Sequence, residues 1–427
     1  MIFSKSFEYL ARAEKLIPSC SQTFSKGPNQ WARGVSPHYL TRGEGAWVWD
    51  ADGNKFLDYL MALGPIILGY GNKYVNDAAK NQIDEGVTFS QMHPLEVELS
   101  ELLVDLIPCA EMIRFGKNGS DATTAAVRVA RAYTGRDRVG SCGYHGWHDW
   151  YIGTTTRSRG VPDVVQSLSH TFPYNDLASL EKLFTDHPGE FAAIIMEPTG
   201  VEAPNDGYLE GVKKLCNQHG VVLIFDEIVN GFRMRMGGAQ EYFGVIPDIA
   251  CFGKAMGNGF PISAVVGHKD LMKTFDDIFF SGTFGGEAVS LAACKATIQF
   301  MLENNVVQKN WSFSRKLSSG ISALIKQHQM EEEIIFLGYD VRSVLGFPQK
   351  DEYQTRLRRT YFMQECVKRG LLYFCSHIPC FSHSEEELNF TLSVLSEVME
   401  KYADVAKNNS FEMALEGPCI EAIFRKA

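Results

Sequence analysis

In this 427-residue sequence an acid and an amine occupy places from which both could work on one ligand. Asp226 directly follows the apolar run Val221-Val222-Leu223-Ile224-Phe225. That places it at the carboxyl end of a buried strand, where open α/β sheets hold their ligands. A carboxylate there is costly unless something pairs with it. A protonated heteroaromatic nitrogen is one suitable partner and a structural arginine such as Arg233 is another. Ile228 lies two residues on, so in extended chain it faces the same way and could pack on a ring. Lys254 ends a second apolar run, Ile249-Ala250-Cys251-Phe252-Gly253, and precedes the loop-forming Gly257-Asn258-Gly259-Phe260-Pro261. A lysine so placed is partly desolvated, which favours the free amine that imine formation requires. Taken alone, it also reads as a surface lysine with its stem laid along the protein.

Two further segments carry suitable chemistry. Arg114-Phe115-Gly116-Lys117-Asn118-Gly119-Ser120-Asp121 leads into a helix with Ala122, Ala126, Val127 and Ala130 on its apolar stripe, ending near Gly135. Asn118, Gly119 and Ser120 at a helix start offer backbone N–H groups, a hydroxyl and the positive end of the dipole, which suits a phosphate and equally suits ordinary capping. Neither a Gly-x-Gly-x-x-Gly fingerprint nor a Walker-type loop is present, which disfavours nucleotide phosphates. Gly143-Tyr144-His145-Gly146-Trp147-His148-Asp149-Trp150 follows the strand-like stretch 138–142, and Tyr144 could stack on a flat heterocycle. His145, His148 and Asp149 raise a metal alternative, but the spacing is loose and no second cluster answers it, so no metal is expected.

The elements that must position these residues are strands alternating with helices. Ala192-Ala193-Ile194-Ile195-Met196 stops at Glu197-Pro198, a helical pattern runs to Gly220, and the Val221–Phe225 run follows. Strands apolar on both faces and separated by helices indicate a buried parallel sheet. Nearer the start, Asp52-Gly53 between aromatic and β-branched runs predicts a hairpin. The length exceeds what one growing core usually accommodates. The expected organisation is an N-terminal segment, 1–60, contributing to a small domain; a large ligand-binding domain, 61–305; and a C-terminal small domain, 306–427, where the chain becomes more helical and charged.

Hydrophobic residues make up 45% and charged residues 22%, as in ordinary soluble proteins, and the net charge of -10 argues against general nucleic-acid binding. No apolar run approaches the roughly 20 residues that span a bilayer, and the opening stretch lacks a signal-like apolar region. The ten cysteines have no zinc-finger spacing, so free thiols in a reducing cytoplasm are expected.

In order, Asn118-Gly119-Ser120-Asp121-Ala122, Tyr144-His145-Gly146, Glu197-Pro198, Asp226-Glu227-Ile228, Lys254 and Gly282-Thr283 resemble the class III pyridoxal-phosphate aminotransferases of fold type I. Within them the chain is similar to glutamate-1-semialdehyde 2,1-aminomutase and its relatives, from about Ile17 to Ala414-Leu415-Glu416-Gly417-Pro418. The most specific part runs from Leu223 through Lys254. The resemblance implies an α/β fold, with a mainly parallel, seven-stranded type of sheet in the large domain and a smaller α+β domain. It implies that Lys254 carries pyridoxal 5'-phosphate as a Schiff base and that Asp226 holds the pyridine nitrogen. Asn118, Gly119 and Ser120 would serve the phosphate; Tyr144, with His145 beside it, would stack on the ring, and Ile228 would cover the other face. Glu197 would lie close by, while Gly282 and Thr283 would reach the phosphate of a neighbouring subunit in a homodimer.

Departures from the aminomutases bear on substrate. Their Ser and Arg near the start, which help hold the substrate carboxylate, correspond to Thr23 and Lys26, and lysine cannot reproduce arginine's bidentate fork. Where they carry a C-terminal glutamate, a gap-free match reaches Cys375. Tyr144-His145-Gly146-Trp147 and Asn258 look like the aminomutase-like transaminases associated with bacterial surface polysaccharides. The expected activity is transfer of an amino group from a donor amino acid such as glutamate to an aldehyde or ketone. The intramolecular aminomutase and a non-catalytic binding protein of the same fold are the alternatives.

Overall fold

The structure, a computed structural model, describes residues 1–422. Contacts divide the chain into two compact units. Of the described residues, the first comprises Met1–Leu63, Ile67–Asn72 and 308–422; the second comprises Gly64–Ile66 and Lys73–Val307.

The first unit holds a sheet of Leu40–Glu44, Trp47–Asp50, Lys55–Asp58 and Leu371–Leu372, in that order. A three-stranded antiparallel sheet of Ile335–Tyr339, Arg342–Gly346 and Ser376–His377 accompanies it. The expected hairpin pairs Trp47 with Leu57 and Trp49 with Lys55. Its turn is held by Asp50, whose Oδ1 accepts from the N–H groups of Asp52 and Asn54, while Gly53 takes the left-handed conformation (φ 90°) that the turn requires. The Glu385–Lys407 helix starts in a capping box formed by Ser384 and Glu387. It buries Tyr402 near Phe362 and Phe411.

The second unit is built on seven strands: β1 (Met112–Gly116), β2 (Arg138–Cys142), β3 (Ser169–Thr171), β4 (Phe191–Met196), β5 (Val222–Asp226), β6 (Ile249–Phe252) and β7 (Ser263–Gly267). Their order is β1-β7-β6-β5-β4-β2-β3. All neighbours pair parallel except β7, which runs antiparallel to both β1 and β6. Every residue of β4, β5 and β6 is buried, as expected of strands covered on both faces. Each Val, Leu or Ile so enclosed contributes about 1.5–3 kcal/mol. Ala122, Ala126 and Ala130 of the Gly119–Thr134 helix join Ala193, Ile224 and Cys251 in one core cluster. That helix stops at Gly135, which is left-handed.

Because β1, β2, β4, β5 and β6 share a direction, their carboxyl ends open on one edge of the sheet. The segments that leave this edge start at Lys117, Gly143, Glu197, Glu227 and Gly253. A short helical turn, Lys254–Gly257, follows β6 directly.

Candidate active site

Asp226 closes β5 with its side chain only 6% exposed. Its Oδ1 accepts from the Ile228 N–H at 3.0 Å, and its Oδ2 lies 2.8 Å from Nδ1 of His145, a wholly buried ring. The other ring nitrogen of His145, Nε2, is 3.1 Å from the Cys142 carbonyl. A carbonyl only accepts, so Nε2 carries a hydrogen. The partner of Asp226 is therefore His145; Arg233 donates instead to the carbonyl of Gly64 at 2.8 Å.

Lys254 stands three residues past Cys251, the register partner of Asp226 in the neighbouring strand. It is half-buried and adopts a left-handed backbone (φ 39°), a conformation that costs a side-chain-bearing residue energy. Ile228 spans the space between the lysine segment and the Asn118–Ser120 loop. A methyl group on Gly119 would approach its Cδ1 to 3.2 Å, and one on Gly253 to 3.1 Å.

The loop at the start of the Gly119–Thr134 helix is fixed by Asp121, whose Oδ2 accepts from the N–H groups of Lys117 and Asn118. Gly119 and Ser120 occupy the first helical turn, where N–H groups have no acceptor within the helix. The same helix pins the aromatic segment. Ser120 Oγ accepts from the Trp147 N–H at 3.2 Å, Thr123 donates to the His145 carbonyl at 2.9 Å, and Thr124 Oγ1 pairs with His148 Nδ1 at 2.6 Å. Gly146 has to be glycine: its φ is 107°, and a Cβ would sit 2.3 Å from Ser120 Oγ. His145 and His148 are thus directed to different partners, and the described residues hold no group of three or more metal-ligating side chains.

Tyr144 is 52% exposed and meets Tyr151 edge-on at 5.5 Å. Burial, with a smaller contribution from the Asp226 charge, raises its phenol above the ordinary range. Glu197 is half-buried beside Gly143; a Cβ there would lie 3.5 Å from Oε1. Asn118, Gly119, Ser120, Tyr144, His145, Glu197, Asp226, Ile228 and Lys254 therefore all lie at or just beyond the carboxyl ends of strands on one sheet edge. Gly282 and Thr283 are exposed, in a turn ahead of the Ala288–Glu303 helix that approaches β1 through Gly285, 3.5 Å from the Phe115 carbonyl if a Cβ is added. Thr23 and Lys26 lie in the first unit. Both are exposed, and Lys26 lines a cavity of about 310 Å³ with Trp31, His38, Asp58 and Tyr70.

Tyr151 was not singled out by sequence. It packs edge-on against both Tyr144 and His145, and its hydroxyl donates to the Gly143 carbonyl at 2.9 Å. Nothing in the local pattern distinguishes it from a core aromatic. Thr123 and Thr124 were likewise hidden, since their partners lie more than twenty residues away.

These residues suit a flat, phosphorylated heteroaromatic aldehyde. A helix start with close-packed glycine can take an anion, a buried acid at a strand end can take a ring nitrogen, and a lysine just past the adjacent strand end can take an aldehyde. The aminotransferase class-III family pattern matches residues 30–399, and the chain belongs to that family. Its cofactor is pyridoxal phosphate, and it is a class III aminotransferase-type enzyme. A 3-aminobutyryl-CoA aminotransferase from Cloacimonas acidaminovorans is 34% identical over 415 residues, which cover 95% of this chain and 98% of that protein. A glutamate-1-semialdehyde 2,1-aminomutase from Archaeoglobus fulgidus is 35% identical over 427 residues, covering 93% of this chain and 100% of its own. The solved structure of a Sphingopyxis FumI protein in its pyridoxal-phosphate internal aldimine form superimposes with a TM-score of 0.88 at 26% identity, covering 95% of this chain and 98% of that chain. The fold is thus fold type I, with a parallel-rich seven-stranded sheet.

Proposed function

We propose that this enzyme carries an amino group between two different small molecules in two half-reactions. The donor is an amino acid, glutamate in the leading reading, and the acceptor is an aldehyde or ketone. Cys375 carries the choice of an intermolecular reaction. It is 1% exposed, and burial pushes its thiol up to about 12, so the position that resembles an aminomutase glutamate offers no ionised acid. Lys26 adds to this, being a point charge where a bidentate arginine fork would be expected. An acceptor from surface-polysaccharide precursor synthesis is supported by Tyr144-His145-Gly146-Trp147 and Asn258.

When bound, the cofactor supplies an electron sink for the carbon that loses its proton. Lys254 would hold the cofactor's aldehyde through Nζ, and the same Nζ, when free, would accept and return the proton that the reaction moves. Asp226 offers its carboxylate to the ring nitrogen, and His145 fixes that carboxylate in place. Gly119 and Ser120 would offer donors to the phosphate, while Ile228, packed against Gly119 and Gly253, and Tyr144 would flank the ring. Thr23 and Lys26 are assigned to the substrate carboxylate. The working unit is a homodimer in which Thr283 reaches the partner's phosphate; the exposure of Phe279 (80%) and Phe284 (60%) on either side of it supports coverage by a second copy. A cytoplasmic setting is supported by ten unbridged cysteines. Among the described residues no helix is long and apolar enough to cross a membrane.

A half-reaction screen tests the reading. Cofactor-loaded enzyme is mixed with single amino acids, and conversion of the cofactor to its amino form is followed by absorbance. Conversion by glutamate, then reversal by an added oxo compound, is expected. No conversion by any amino acid would overturn it. The aminomutase reading is favoured by several relatives that bear that name, at 32–36% identity. Formation of 5-aminolevulinate from glutamate 1-semialdehyde without an external donor would establish it instead.

A further inference from the structure

The turn that carries Thr283 has no strand or helix of its own between Ile278 and Glu287. Its amino end is held by two guanidinium groups. Arg128 Nη1 donates to the Phe279 carbonyl at 2.5 Å, and Arg114 Nη2 donates to the Phe280 carbonyl at 2.6 Å. Arg114 also lies over two aromatic faces, 5.5 Å from the Phe275 ring centroid and 5.8 Å from that of Phe280. Phe280 in turn packs against the core of the second unit. The carboxyl end is held by Glu287, which accepts from the N–H groups of Val289 and Ser290 and pairs with Lys117 Nζ at 2.9 Å.

The origin of these anchors is informative. Arg114 is on β1 and Arg128 is on the Gly119–Thr134 helix, the strand and helix on either side of the Asn118–Ser120 loop; Lys117 begins that loop. One strand–helix pair therefore sets the geometry of the chain's own phosphate loop and of the exposed turn it presents outward. Guanidinium groups are suited to this, since their donors point in a fixed plane and remain charged. A turn released at Phe279 and Phe280 would keep its sequence but sample many conformations, lowering the effective concentration of Thr283 at any fixed target.

We propose that Arg114 and Arg128 are positioning residues for cofactor binding in the neighbouring subunit, acting through the Phe279–Glu287 turn. This rests on the assignment of Thr283 to the partner's phosphate. Neither arginine belongs to the cluster around Asp226 and Lys254, and both are exposed in the single chain, so their substitution leaves the core intact.

The experiment titrates cofactor-free homodimer with pyridoxal phosphate and compares Arg114→Met, Arg128→Met, the double variant and Thr283→Ala. In the double variant and in Thr283→Ala the dissociation constant is expected to rise about tenfold, with the single variants between wild type and double. In the arginine variants dimer mass and the melting temperature of cofactor-free protein stay at wild-type values, and kcat at saturating cofactor stays within about twofold of wild type. Arg128→Lys, which retains a charged donor, restores much of the affinity lost in Arg128→Met. Unchanged affinity in the double variant, with Thr283→Ala weakened, would overturn the positioning role and leave the Thr283 assignment standing. Unchanged affinity in Thr283→Ala would remove that assignment and this inference with it. If the double variant proves unstable, the Arg128→Met and Arg128→Lys pair decides the matter alone: equal affinities in the two overturn the proposal.

Discussion

His145 Nδ1 and Asp226 Oδ2 lie 2.8 Å apart, with the ring fully enclosed and its far nitrogen held by the Cys142 carbonyl. The carboxylate at the end of β5 thus has one oxygen on His145 and the other on the Ile228 N–H, and a carboxylate oxygen can accept a further bond from a ligand. In His145→Phe the ring stack on Trp150, at 6.5 Å, can survive while the polar bond is lost. Removing one partner of a buried charge costs about 3–5 kcal/mol, and a bound pyridine nitrogen can restore part of it. The rise in melting temperature on adding pyridoxal phosphate should therefore be larger in His145→Phe than in wild type. Equal rises would show that His145 does not support Asp226.

Lys254, to which we assign the aldehyde-holding role, has a left-handed backbone at φ 39°. Lys254→Ala and Lys254→Gly should both lose turnover by at least about 100-fold, the scale of a lost proton-transfer group. The glycine variant should be more stable than the alanine variant by about 1 kcal/mol, since only glycine relieves the strain. Denaturant unfolding of the pair checks this. An alanine variant as stable as the glycine variant would deny the strain.

Gly146→Ala would place a methyl group 2.3 Å from Ser120 Oγ, at a φ of 107°. The expected cost is about 1–3 kcal/mol, together with weaker cofactor binding as Ser120 is displaced. Gly135→Ala serves as the control: it is also left-handed but meets nothing within 4 Å. It should lose stability without losing cofactor affinity. Comparable affinity loss in both variants would contradict the Ser120 contact.

Acid should act on buried groups in opposite senses. Burial lowers His383 and His38 to about 4 and His377 to about 3. Their contribution to stability is complete above the unfolded value of about 6.5 and is lost as pH falls through the folded values. Burial raises Glu227 to about 7, against the opposing effect of its bonds from the Ala239 and Gln240 N–H groups. Its contribution is present below about 4.5 and is lost as pH rises through about 7. In melting curves between pH 4 and 7, His383→Gln should flatten the loss on acidification, and Glu227→Gln should flatten the loss on raising pH. Unaltered slopes would mean that other groups govern both limbs.

The placement of much of the candidate site was legible in the sequence. Apolar runs ending in Asp226 and Lys254 are local facts, and wholly apolar strands have no alternative to a covered sheet, so their carboxyl ends mark a ligand edge. The hairpin at Asp52-Gly53 and the helix from Gly119 to Gly135 are equally local, being set by turn residues and caps. Tertiary structure alone decided which partner Asp226 takes, because His145 is 81 residues away and Arg233 only seven. It alone showed why Gly146 is glycine, since the clash is with Ser120, 26 residues earlier in the chain. It alone revealed the two arginines holding the Phe279 and Phe280 carbonyls, more than 150 residues apart in sequence. The reason is common to all three. Periodicity and capping record a residue's relation to its chain neighbours, whereas the pairing of buried polar groups depends on which distant segments the sheet order brings together.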